Sequence, residues 1–207
     1  APGLALRGVE AFEGLLSDMA AIDRVLGLGV IAVNDHRHRG IFDTLDDLID
    51  QTSADAVRYM LLARNANSRL DFDLDLAVAQ SSDNPVYYIQ YAYVRTLGIL
   101  REAELRGFSD DGANLGLLGP EELAFVKRCL TLGDEIAVSA ATLEPHRIAF
   151  YAHELASLFH PMYDRVRVFG EGVEPEFARA RLRFYRVAQT VFKRVLDLMG
   201  MSTPERM

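Results

Sequence analysis

The stretch "NPVYYIQYAYVR", Asn84–Arg95, decides how the chain folds. Asparagine followed by proline opens a helix: the amide side chain caps the first free N–H groups, and the proline occupies the first turn, where no N–H is needed. The helix runs on through "TLGILREAEL" to about Arg106, and Gly107 stops it. Four of the chain's eight tyrosines lie inside it, at Tyr87, Tyr88, Tyr91 and Tyr93. Tyr88, Tyr91 and Arg95 share one stripe, while Val86, Ile89, Tyr93 and Leu100 share another. Two readings of the rings stand at this point. They are core rings with satisfied hydroxyls, or Tyr88 and Tyr91 lie open, where aromatic rings stack on unpaired bases and arginines meet phosphates.

Outward from this helix, proline and glycine divide the chain into further helices. Apolar residues from Val9 to Leu26 recur at helical spacing before the breaker "GLG". Thr44 caps "TLDDLID", with Asp47 three residues on, and Ser53 caps "ADAVRYMLLA", which ends in "RNANS". "LDFDLDLA" alternates apolar and acidic residues, a period of two that predicts an extended segment. Pro120 opens a helix through "EELAFVKRCLTLGDEIAVSAATL" with a weak point at Gly133; Pro145 opens another, which Pro161 interrupts after His160. The last helix runs from Pro175 or Glu176 to Met199, and Gly200 ends it. The pattern predicts an all-α helical bundle, with no internal repeat.

The chain's 207 residues are 50% hydrophobic, enough for a sizeable core, and carry a net charge of −8. That charge argues against a polyanion partner until its distribution is considered. Between Arg165 and Arg194 eight basic residues stand against three acidic ones, a local +5 that leaves −13 on the remainder. Most of this excess lies on the last helix. Arg179, Arg183, Arg186, Thr190, Lys193 and Arg194 share one side; Phe177, Phe184, Tyr185, Ala188, Val191, Phe192, Val195 and Met199 share the other. The basic side is either a solvated face or a phosphate contact. Arg181 points to the apolar side and is expected to snorkel to the surface or pair with a buried carboxylate.

Several chemistries are excluded by context. "DFDLDLAVAQSS", with its D-x-D-x-D start at Asp71, has Leu76 and Ser82 where a calcium loop needs its glycine and glutamate. "GLGVIA" matches a dinucleotide fingerprint without a strand before it. His36 and His38 have no further ligand pair in sight, and His146, His153 and His160 are each separated by about 10.5 Å of helix rise, too far to share one ion. No nucleophile elbow or P-loop occurs. No catalytic and no metal-binding residue is assigned. The single Cys129 fits a reducing, cytoplasmic setting, and no segment reads as a secretion signal or membrane span.

The words of the chain also carry a resemblance. "TLDDLIDQTSADAVRYMLLARNANSRLDFDLDLAVAQSSDNPVYYIQYAYVR", "EPHRIAFYAHELASLFHPMYDRVRV" and "ARARLRFYRVAQTVFKRVLDLMGMSTPERM" resemble the carboxy-terminal part of bacterial arginyl-tRNA synthetases, over about Thr44 to Met207. This resemblance implies residues 1–82 as a remnant of the catalytic side, poorly matched over 1–40, and residues 83–207 as a DALR-type anticodon-binding domain. It implies arginine tRNA as partner, through its anticodon stem-loop, with no DNA or membrane partner and a monomeric state. Carried onto this sequence, the tRNA-binding residues are Tyr88, Tyr91, Tyr163 and Met207; Arg95, Arg183 and Arg186 join them as basic neighbours. Tyr87 and Tyr93 are expected to pack. ATP with magnesium serves the full-length enzyme, and no cofactor is expected in this chain. The HIGH and KMSKS signatures are missing, "DHRHRG" standing where the second belongs, so the chain by itself is expected to bind tRNA without charging it. Two rivals are a stand-alone non-catalytic tRNA-binding paralogue and a helical protein-interaction module that has lost RNA binding.

Overall fold

The computed structural model describes residues 31–32, 42–43, 45–64 and 72–207. The expected helix over residues 9–26, the fragment Gly27 to Val30, "DHRHRG", and the Thr44 cap lie outside these. A two-residue antiparallel pair, β1 (Ile31–Ala32) with β2 (Phe42–Asp43), precedes an all-α arrangement. The helices are α1 (Leu45–Gln51), α2 (Ala54–Leu62), α3 (Leu74–Val78), α4 (Pro85–Leu105), α5 (Pro120–Leu130), α6 (Leu132–Thr142), α7 (His146–Arg165) and α8 (Pro175–Leu198). Among the described residues no helix is long and apolar enough to cross a membrane.

The α4 helix starts as its sequence predicts. Asn84 Oδ1 accepts from the Val86 and Tyr87 N–H groups at 3.0 and 3.4 Å. Its Nδ2 donates to the Ala77 and Ala79 carbonyls at 3.0 and 2.9 Å, so one buried side chain both caps α4 and ties α3 to it. At the other end Gly107 takes φ +60°, and the Phe108 N–H closes back on the Ala103 carbonyl at 2.9 Å. That is a left-handed stop of the kind glycine permits without strain.

The core forms where α4, α5, α7 and α8 meet. Phe125, Phe159, Phe184, Tyr185 and Phe192 are buried, and Phe159 lies 5.8, 5.3 and 5.9 Å from the rings of Phe125, Phe192 and Tyr185. Tilted and edge-on ring contacts of this sort add to the burial of large apolar surface. Truncating Phe159 to alanine here removes about 3–5 kcal/mol. Tyr59 on α2 reaches the Ala149 carbonyl of α7 at 3.4 Å, which fastens the α1–α2 pair to the bundle.

Four expectations need correction. The alternating acidic segment is not extended from Leu74 onward: Asp73 Oδ1 accepts from the Leu76 N–H at 3.0 Å and starts α3. An aspartate cap outweighs a two-residue alternation over so short a stretch. The helix after Pro120 breaks at Thr131 instead of Gly133, where the Thr131 hydroxyl donates to the Arg128 carbonyl at 2.8 Å. Pro161 does not end α7. The N–H it lacks would have bonded Ser157, and both residues are exposed, so the freed carbonyl meets water. Phe177 is exposed rather than packed, and the Arg181 guanidinium lies over its ring at 5.6 Å.

Candidate nucleic-acid interface

The first two turns of α4 lie beside the second half of α7, and their side chains frame a cavity of ≈ 210 Å³ open to solvent. Ser82, Tyr87, Tyr88, Tyr91, Arg95, His160 and Asp164 line it. Tyr87 and Tyr91 stack at 5.7 Å, one turn apart on α4, with planes 23° apart. Tyr88 turns toward α7, its ring 4.3 Å from His160 and 5.5 Å from His153. All three tyrosines are half-buried, which leaves part of each ring to a ligand.

Arg95 organises the floor. Its guanidinium lies 4.7 Å from the Tyr91 ring and 4.5 Å from the Tyr163 ring, so the planar cation sits between two aromatic faces. Nη1 donates to Asp164 Oδ1 at 3.1 Å and approaches His160 Nδ1 at 3.2 Å. The Arg95 side chain is only 20% exposed, whereas that of Asp164 is 62% exposed, so the carboxylate keeps access to water or to a ligand. Burial raises the Tyr163 hydroxyl above its ordinary value, against the pull of Arg95, so it remains a neutral donor. The site can therefore hold one flat ring by stacking and offer hydrogen-bond partners at its edge.

The structure gathers Tyr88, Tyr91, Arg95 and Tyr163 in one place. Arg183 and Arg186 stand elsewhere, and the expectation of a free basic face on the last helix is corrected. Both donate through Nε to the buried Asp110 carboxylate, Arg183 at 2.5 Å and Arg186 at 3.0 Å. Asp110 follows the stop of α4, and roughly 25 Å of helix rise separates Tyr88 from Leu105 at that end. Burial opposes ionisation of Asp110, but the hydrogen bonds from Arg183 and Arg186 outweigh it and hold the carboxyl below its ordinary 3.8. Elsewhere on the same face Lys193 pairs with Asp197 at 2.8 Å, and Arg179 lies 6.0 Å from the Phe108 ring. Of the two courses open to Arg181 the structure shows the pairing: Nε meets Glu122 at 3.2 Å, and that carboxylate is 2% exposed.

Met207 is exposed and does not line the cavity. The tail that carries it is laid along a neighbouring stripe of α4. Gln90 Nε2 donates to the Ser202 carbonyl and to Asp55, at 3.1 and 2.8 Å, and Arg101 Nη2 donates to the Glu205 carbonyl at 3.0 Å. Arg58 from α2 donates to the Gly200 carbonyl. Sequence reasoning missed Ser82, His160 and Asp164, and it placed Tyr87 in the core where the structure puts it at the cavity. His160 and Asp164 are one turn apart on a face of α7 that becomes visible only once the helix is known to pass through Pro161.

The family model for the DALR anticodon binding domain matches residues 89–207, which begins inside α4 and takes in every helix after it. Arginine–tRNA ligase of Desulforudis audaxviator is 44% identical over 176 residues, covering 83% of this chain and 31% of the relative. That of Heliobacterium modesticaldum is 42% identical over 179 residues, with the same two shares. The chain thus spans about a third of the length of the curated relatives it matches. Among solved structures, an arginyl-tRNA synthetase from Campylobacter jejuni superposes with a TM-score of 0.74 at 24% identity, over 86% of this chain and 39% of that one. The Thermus thermophilus enzyme gives 0.64 at 19%, over 100% of this chain and 32% of its own. At these identities the superpositions speak for the fold, and the sequence match over residues 89–207 places this chain in the family of DALR anticodon binding domains.

Proposed function

We propose that this chain is the anticodon-reading part of an arginine–tRNA ligase and that the cavity between α4 and α7 receives one unpaired anticodon base. The observation that carries the reading is the arrangement of Tyr87, Tyr88 and Tyr91 around an opening whose floor is the sandwiched Arg95. At ≈ 210 Å³ the space is smaller than the roughly 300–1,000 Å³ of a drug-sized site and suits a single planar ring. Stacking on tyrosine holds any base, and the edge groups of Arg95, Asp164 and Ser82 select among them.

Affinity then comes from phosphate contacts, which carry no base information. Arg183 and Arg186 keep 47% and 48% of their side chains exposed, and with Asp110 they present one net positive charge instead of two. Their contribution is accordingly a modest one. ATP and magnesium act in the part of the enzyme outside this chain, which by itself binds tRNA without charging it.

The test is filter binding of an arginine tRNA anticodon stem-loop and of a variant with substituted anticodon bases, each titrated with salt. The reading predicts affinity that falls steeply with salt for both RNAs and a clear preference for the arginine anticodon at every salt concentration. Equal binding of the two RNAs overturns it.

A further inference from the structure

The cavity contains one ring that base reading, as set out above, does not use. His160 is buried, while His153 and Asp164 on the same helix are exposed. Its Nε2 lies 2.9 Å from the Tyr88 carbonyl oxygen and its Nδ1 lies 3.2 Å from Arg95 Nη1. A guanidinium only donates and a carbonyl only accepts, so Nδ1 is the acceptor and Nε2 carries the hydrogen. Both ring nitrogens find partners only in the neutral form.

We propose that His160 is a positioning residue: as a neutral imidazole it holds the Arg95 guanidinium between Tyr91 and Tyr163 and against Asp164, and its protonation releases Arg95 and weakens discrimination between bases. This rests on the cavity being the base-reading site. A proton on Nδ1 places two donors and two positive charges face to face, and the guanidinium cannot give up its own. Arg95 and the rings of Tyr88 and Tyr91 face the imidazole from α4; from α7 itself come Asp164, one turn on, and His153 across Tyr88. Asp164 favours the imidazolium, but it is largely exposed and already bonded to Arg95, so water screens most of its pull. Burial, and after it the Arg95 charge, bring the ring below its ordinary 6.5, against the bond to Tyr88 and the charge of Asp164. The site is therefore set at neutral pH and disarmed in acid.

His160→Gln separates this from simple packing. Glutamine supplies an N–H for the Tyr88 carbonyl and an oxygen for Arg95, and it does not titrate. Two readouts are taken across pH: the Arg95 Nε–H resonance without RNA, and the preference for the arginine stem-loop over its anticodon-substituted variant at about pH 7.5 and at a pH below the midpoint of the shift in that resonance. In the unaltered protein the resonance shifts as His160 takes up its proton, and the preference falls on the order of tenfold in acid, the worth of one charge-assisted hydrogen bond. In His160→Gln both stay flat. An Arg95 resonance that ignores His160 protonation overturns the proposal, and so does a glutamine variant whose preference falls alongside the parent's. The RNA-free titration of the parent decides the point even where the variant fails to fold. A coupled resonance with no preference at either pH overturns the base-reading assignment, and with it the discriminating role of His160.

Discussion

Replacing Arg95 by lysine keeps the positive charge and removes the plane. The guanidinium now lies 4.7 and 4.5 Å from two rings at once, a geometry that a point-like ammonium can match on one side only. With the side chain 20% exposed, each ring contact is worth about 1 kcal/mol. The bond to Asp164 adds under about 1 kcal/mol, because that carboxylate stands mostly in water. Arg95→Lys therefore lowers stability by about 1–2 kcal/mol, which for a chain of this size is a fall in Tm of roughly 2–8 °C. Urea unfolding gives the first figure and a thermal melt the second. Pairing the substitution with Tyr163→Leu isolates the ring contribution: the two changes together should cost about 1 kcal/mol less than their separate effects predict. Strict additivity, or a lysine variant within about 0.3 kcal/mol of the parent, refutes the sandwich as a working interaction.

Further outcomes can be checked with the same methods. Asp110→Asn removes the carboxylate that Arg183 and Arg186 share and lowers stability by about 2 kcal/mol, a figure reduced because both arginines can rehydrate. Since the folded pKa of Asp110 lies below 3.8, its stabilisation is complete above that pH and is lost as pH falls through the folded value. Acid unfolding of the asparagine variant is correspondingly shallower below about pH 4. Asn84→Ala removes a helix cap and leaves the Ala77 and Ala79 carbonyls without their donor, so the urea midpoint falls by the equivalent of about 2–3 kcal/mol with an unchanged slope.

How much of this was legible in the sequence depends on how local the deciding interaction is. The boundaries of α4 were readable because Asn84, Pro85 and Gly107 act within a turn of themselves. The pairing of Arg181 with a buried carboxylate was readable from its place on the wrong side of an amphipathic helix, although nothing local named Glu122 as the partner. Arg183 and Arg186 had the same pattern as a free basic face; their partner Asp110 lies more than seventy residues away in a glycine-rich connector, and no periodicity reports such a pairing. The tyrosines announced themselves by density, but which of them face the cavity was set by where α7 crosses α4. That crossing was hidden by Pro161, which reads as a helix end and lies on the one face where a proline is tolerated.

The central claim is that the ring of Tyr91, stacked on Tyr87 and backed by Arg95, touches the base that is read. Measuring the preference for the arginine stem-loop over its anticodon-substituted variant, in the parent and in Tyr91→Ala, addresses it most directly. The account predicts that the alanine variant loses about 1–3 kcal/mol of affinity for the arginine stem-loop and most of the preference, while the salt dependence of binding is unchanged. A variant that keeps the parent's preference in full contradicts it.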